Sequence, residues 1–330
     1  MQIFIPSFSI IIISLLSGYA FNALIERGLV PLSSEKTAQL RLTMQKTALL
    51  GIYPVAFLGA IWVADLSERL YFLLPLIGVA ALASGLAYGF AGSRLLNLPP
   101  ERAGVFTTCT SFTNIGAIGA LIVFMLLGEP GFALVPFYKM FEELWNYSIL
   151  FPIARSYGER ANANSNKGNS PAPAGIGKIL RDPFLIVSLS AVTAGIVLNF
   201  TGVSRPAFYS GLNAVLVPLG TIILLFAIGM RLRFTIAKKD LRAGILLSLG
   251  KSVFIPLVAT TLAWVLGLGQ TTDGLGLKLV LVLSAMPVGF VGLVPPTLYK
   301  LDQDYAGSLW LVSNTALLAI VPALALILRL

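Results

Sequence analysis

Residues 111–119 read SFTNIGAIG, and residues 284–292 read SAMPVGFVG. Both fit the pattern Ser-x-x-(Asn/Pro)-(Ile/Val)-Gly-x-(Ile/Val)-Gly, and both lie in strongly apolar surroundings. Inside a helix glycine costs about 1 kcal/mol relative to alanine, and proline about 3. In lipid, each backbone N–H or C=O left without a partner costs several kcal/mol more. Two weakened helices are therefore expected only where the loosened backbone is buried in protein or lines a polar cavity. Close helix packing is the alternative reading for the glycines alone.

The apolar surroundings extend along the whole chain. Of its 330 residues 57% are hydrophobic and 11% charged, against about 25% charged in a soluble domain. This is the composition of an all-α, polytopic membrane protein. A membrane-crossing helix needs about 20 apolar residues. Ten segments qualify: Ile3–Leu24, Thr47–Ala64, Leu70–Gly92, Gly104–Leu127, Gly131–Ala154, Phe184–Phe200, Pro206–Met230, Ala243–Leu268, Leu279–Leu298 and Tyr305–Leu328. Ile3–Leu24 is too long for a cleaved leader, has no basic residue before it, and reads as the first span. Glu129-Pro130-Gly131 is the clearest turn.

The net charge of +9 requires no nucleic-acid partner. Seventeen of the 23 Lys and Arg residues fall in alternate connections and four on the opposite side. That bias places both termini outside the cytoplasm of a multi-pass inner-membrane protein. With Cys109 the single cysteine and no histidine, disulfides, thiol redox pairs, Cys-rich metal sites and His-based catalysis are excluded. No catalytic residues, metal ligands or cofactors are assigned, and the chain is not read as an enzyme.

One polar stretch, SYGERANANSNKGNSPAPAG from residue 156, reads as a cytoplasmic linker over 156–177. It separates a first five-helix repeat (1–155) from a second (178–330). Five is odd, so the halves enter the membrane in opposite directions. Pro6, Gly18 and Asn22 recur with identical spacing as Pro183, Gly195 and Asn199, Pro75-Leu76-Ile77 recurs as Pro256-Leu257-Val258, and the opening motif recurs in spans four and nine. The expected fold is a 5+5 inverted repeat with broken helices 4 and 9. Carriers with inverted repeats bind their solutes at such interrupted helices.

Candidate substrate-binding residues are Ser111, Thr113, Asn114, Gly116 and Gly119 in span four, with Ser284, Pro287, Gly289 and Gly292 in span nine. Pro287 is expected to free a carbonyl on the preceding turn. Lys139, Glu142 and Glu143 lie within FYKMFEELWNYS of span five. Intramembrane charges suggest function; here the choices are a structural Lys139–Glu143 pair at i, i+4 and a coupling role for a glutamate. Lys251 in span eight is read as an anchor for an acidic substrate, a partner for a span-five glutamate, or a snorkelling residue. Trp145 and Trp310 need no role beyond anchoring or packing.

Taken in order, LLSGYAFNALIERGLVPLSSE, TSFTNIGAIG, LLFAIGMRLRF, GKSVFIPL, SAMPVGFVGLVPPTLYKLDQDYAGS and SNTALLAIVP give the chain a resemblance to the auxin efflux carrier family, whose bacterial members include suggested malonate and malate transporters. The resemblance implies a fold like that of bile acid sodium symporters. Helices 1, 2, 6 and 7 would form a scaffold, and helices 3–5 and 8–10 a transport domain that moves like an elevator. Asn114 and Pro287 match the family's polar residue and proline at the crossing of helices 4 and 9. Relatives often carry Gly-x-Pro after the asparagine, where this chain has Gly119-Ala120-Leu121; the break in helix 4 is then expected to rest on glycines alone.

The resulting expectation is a secondary carrier, an exporter by resemblance, for a small organic anion such as a carboxylate, coupled to H⁺ through Glu142 or Glu143. Sodium coupling and a membrane sensor that binds a ligand without moving it are the alternatives. The expected partners are the substrate, the lipid bilayer and a second copy joined through the scaffold.

Overall fold

The computed structural model describes residues 4–161, 183–230 and 238–328. It is 85% helical, and the described residues contain no strand. Among the described residues, seven helical segments are long and apolar enough to cross a membrane: Ser9–Glu26, Ser34–Trp62, Arg69–Leu95, Pro100–Ala161, Phe208–Gly229, Leu241–Val265 and Gln303–Leu328. Ile186–Phe200 is a shorter apolar helix.

Several boundaries differ from the sequence expectation. Helix extends back to Ser34, capped by the Ser33 hydroxyl accepting from Lys36 N, so Lys36, Arg41 and Lys46 lie on a helix rather than in a loop. Helix Phe151–Ala161 runs into the expected linker; the rest of that linker, 162–177, falls outside the described residues. The bend after span four centres on Gly128, whose φ of 66° glycine adopts without Cβ strain.

Proline explains a recurring irregularity. The widened π-type turns Thr47–Ile52, Asn146–Leu150 and Gly250–Phe254 each end two residues before a proline: Pro54, Pro152 and Pro256. Proline offers no N–H to the carbonyl four residues back and crowds it. The helix accommodates the defect by widening for one turn.

The chain forms two compact units. Unit 1 contains Met1–Ser67, Gly116–Pro136 and Arg181–Arg233. Within it, helix Phe4–Glu26 packs on Phe208–Gly229, and Pro183–Phe200 packs on Tyr53–Trp62. Gly18 faces the main chain of Phe226, and Gly229 that of Leu15; no side chain fits there, so the helices approach closely. The Asn199 amide donates to the carbonyls of Ile61, Trp62 and Ala64 at 2.8–3.0 Å, filling orphan acceptors at a helix end. Glu129 makes a bidentate pair with Arg205, whose Nη2 is 3.1 Å from Oε2, and accepts from Asn213 Nδ2 at 2.6 Å.

Unit 2 contains Glu68–Ile115, Phe137–Leu180 and Phe234–Leu330. Helix Leu74–Leu95 packs on Pro100–Ser111, and Leu241–Leu249 packs on Gln303–Thr315. At Gly85 an added Cβ would fall 2.6 Å from Thr110 O. Arg102 joins three segments: it donates to Asp302 at 2.9 Å and Asp240 at 3.2 Å, and lies 4.9 Å over the Tyr305 ring.

Candidate functional site

Both sequence motifs are interrupted helices. Helix Pro100–Ser111 ends at Ser111, Phe112–Asn114 are non-helical, and the widened turn Ile115–Gly119 follows. Helix Leu275–Ser284 ends at Ser284, residues 285–289 are non-helical, and the short turns Phe290–Leu293 and Val294–Leu298 follow. Inside unit 2 the two loosened segments cross antiparallel. Asn114 N donates to Pro287 O at 2.9 Å, and Gly289 N donates to Phe112 O at 3.4 Å. Each break thus supplies main-chain partners to the other, and the costly lipid alternative is avoided. Gly289 is required for the approach, because an added Cβ would lie 2.7 Å from Thr113 O.

Side chains satisfy further backbone groups. Val288 N donates to Ser313 Oγ at 3.2 Å, and Asn314 Nδ2 donates to Val288 O at 3.3 Å. The Ser111 hydroxyl donates to Leu82 O at 2.8 Å and accepts from Trp145 Nε1 at 3.1 Å. Lys251, only 1% exposed, donates from Nζ to Thr113 Oγ1 at 2.6 Å. The Thr113 hydroxyl itself donates to Ser111 O at 3.0 Å. The site is therefore a main-chain crossing with one buried ammonium beside it.

The expected residues divide as follows. Ser111, Thr113, Asn114, Pro287 and Gly289 meet at the crossing, Lys251 joins them, and Gly292 sits against Phe112 and accepts through its carbonyl from Cys109 Sγ. Snorkelling of Lys251 is excluded by its burial. Gly116 and Gly119 belong to unit 1, in the turn after the break. The fully non-helical residues are Phe112–Asn114, ahead of both glycines, and the glycines lie in the widened turn that follows. Ser284 spends its hydroxyl on its own helix, donating to Val280 O at 2.6 Å. Nor does Pro287 leave an open acceptor: Leu283 O, which an N–H at 287 would have met, takes Met286 N at 3.4 Å.

The charge cluster of span five also needs correction. The helix is interrupted by a turn at Lys139–Phe141, so helical i, i+4 geometry does not hold there. Lys139 Nζ instead lies 3.6 Å from Glu142 Oε2, at i, i+3. Glu142 is buried, Glu143 half-buried, and Glu142 is within electrostatic range of Lys251.

Trp145, Ser313 and Asn314 were missed as site residues. Trp145 looks like any interfacial aromatic in sequence. The polar pair Ser313-Asn314 in an apolar tenth span was a visible signal, as polar side chains inside a span seek buried partners.

Comparison with known proteins gives one family. Residues 54–327 match the model described as membrane transport protein, which is the family containing the auxin efflux carriers. No curated protein matches the chain.

Proposed function

Because the chain belongs to the membrane transport protein family, and is thus a multi-pass membrane transporter, we propose that it is a secondary carrier for a small organic anion, a carboxylate by preference, with its solute site at the crossing in unit 2. The observation that carries this reading is the mutual pairing of Asn114 with Pro287 and Gly289 with Phe112. Transporters place substrates where discontinuous helices meet, with loosened backbone tolerated because it lines the site. Asn114, Thr113 and the crossing backbone are the groups assigned to the solute, with Ser111 positioned by Trp145.

Ten spans in a 5+5 inverted repeat suit these findings. At 1.5 Å per residue the 62-residue segment Pro100–Ala161 would be about 93 Å long, three times the hydrocarbon thickness, so it is assigned two crossings on either side of Gly128. Ile186–Phe200 and the broken stretch 275–298 supply two more. The pairing of span one with span seven, and of span six with span two, is what an exchange of repeats would produce. We take unit 1 as the scaffold, through which a homodimer would form, and unit 2 as the moving element of an elevator; the stretch Gly116–Pro136 groups with unit 1. The charge bias orients both termini outside the cytoplasm of the inner membrane.

Uptake of labelled malonate and malate into proteoliposomes tests the site. Asn114→Ala is expected to slow it at least tenfold; equal rates for wild type and variant would remove the assignment. Proton coupling is assigned to Glu142, the buried member of the acidic pair, with Glu143 beside it. Glu142→Gln is expected to abolish the dependence of uptake on a pH gradient, and full retention in both Glu142→Gln and Glu143→Gln would exclude that role.

A further inference from the structure

Spans four and five change unit partway along. Helix Pro100–Ser111 belongs to unit 2, Gly116–Pro136 belongs to unit 1, and the chain returns to unit 2 at Phe137. Both passages lie close to an interruption of helix, at Phe112–Asn114 and at Lys139–Phe141. Glu129 is the single charged residue of 116–136, and it follows the left-handed Gly128 at the bend.

The Glu129 carboxylate accepts from both Nη atoms of Arg205, with Nη2 at 3.1 Å from Oε2, and from Asn213 Nδ2 at 2.6 Å. Two of these donors hold a second acceptor on helix Tyr53–Trp62: Arg205 Nη1 donates to Gly59 O at 2.8 Å, and Asn213 Nδ2 to Ala56 O at 3.1 Å. Thr221 repeats the arrangement, donating to Ala117 O at 3.4 Å and to Val217 O of its own helix at 3.0 Å. Withdrawing 116–136 therefore strands none of these three donors. A reversible contact must meet that condition, because a buried donor left unpaired is costly.

The ion pair is also placed for release. The Arg205 and Glu129 side chains are 11% and 20% exposed, so both charges have access to water. A partly buried pair gains Coulomb attraction and forfeits hydration, and the two largely offset one another. Phe132, stacked on Phe57 at 4.7 Å, adds apolar contact without a directional bond.

Resting on the reading that unit 2 moves during transport, we propose that Glu129 is a releasable latch: paired with Arg205 and Asn213 it keeps 116–136 on unit 1, and opening the pair frees this stretch to follow the rest of spans four and five. The strength of the pair then sets how the carrier divides between two arrangements.

The test is pulsed electron–electron resonance on the purified full-length protein without substrate. One spin label is carried at Pro130→Cys, exposed at the bend, and one at Leu29→Cys, exposed in unit 1; Cys109 is buried and takes no label. With the native pair one dominant distance is expected. Glu129→Gln should add a second distance several ångströms away, and Glu129→Ala should make it the major one. Reversing the pair, Glu129→Arg with Arg205→Glu, should restore the larger share of the native distance. An unchanged distribution in Glu129→Gln and Glu129→Ala overturns the proposal, and so does a folded reversed pair that restores nothing. Glu129→Gln decides on its own where the other variants do not fold. A second label pair, Leu29→Cys with Val265→Cys in unit 2, separates the two readings. If Glu129→Gln moves the Pro130 label alone, the latch stands and the moving-unit reading falls; if the Pro130 label stays, the latch alone falls.

Discussion

The fourth-span and ninth-span breaks carry related sequences but are stabilised differently. In the fourth, three residues without proline are non-helical, and the nearby polar groups include a charge: Lys251 on Thr113, with Trp145 and Leu82 on Ser111. In the ninth, five residues including Pro287 are non-helical, and the partners of Val288 are neutral, Ser313 and Asn314. One half of the crossing is held by an ammonium and the other by a hydroxyl and an amide. Pseudo-symmetric sequence thus yields a chemically asymmetric crossing.

The contact common to both halves should be the most sensitive. Gly289→Val sets side-chain atoms against Thr113 O, to which even a Cβ would lie 2.7 Å away. The crossing strands must separate, at a cost of about 3 kcal/mol or more, with transport lost and a large fall in melting temperature. An unchanged melting temperature would show that the two breaks do not depend on one another.

Next comes the charged half. Thr113→Val removes the acceptor of a buried ammonium, which is expected to cost about 3 kcal/mol; Thr113→Ser should recover most of it, as seen by thermal unfolding. The neutral half should respond less. Ser313→Ala strands the buried N–H of Val288, a loss of roughly 1–2 kcal/mol. A larger effect at Ser313 than at Thr113 would reverse the asymmetry argued above. Smallest of the four, Trp145→Phe leaves Ser111 its bond to Leu82 O and should cost about 1 kcal/mol, readable as a modest shift in melting temperature.

Much of this architecture was legible in the chain. The helical, membrane-spanning character follows from hydropathy, and the two interruptions fall within the paired motifs, at Phe112–Asn114 and at residues 285–289. Their mechanism was less legible. Gly116 and Gly119 look like the breakers of span four, but the non-helical residues are Phe112–Asn114 just ahead of them, and Asn114 pairs with Pro287, 173 residues away in sequence, a contact that no local pattern records. The partner of Lys139 was misplaced because the i, i+4 rule presumes a helix, and the helix opens at Lys139–Phe141. Lys251 could be assigned to a span but not to a depth, since burial is decided by the packing of other segments. Arg102 gathers Asp240 and Asp302 from distant parts of the chain; charges that close a tertiary contact have no periodic signature.

The widened turns ahead of Pro54, Pro152 and Pro256 bear on how such a chain tolerates changes in length. Each is in effect a one-residue insertion that an α-helix has absorbed. Shortening Gly250–Phe254 by one residue would restore ordinary helical register, but the pyrrolidine ring of Pro256 would then collide with the carbonyl four positions earlier. Pro218 and Pro322 lie inside ordinary α-helix without such a turn, so the widened turn is one way of housing an intrahelical proline, and the length of span eight is set by the way it uses.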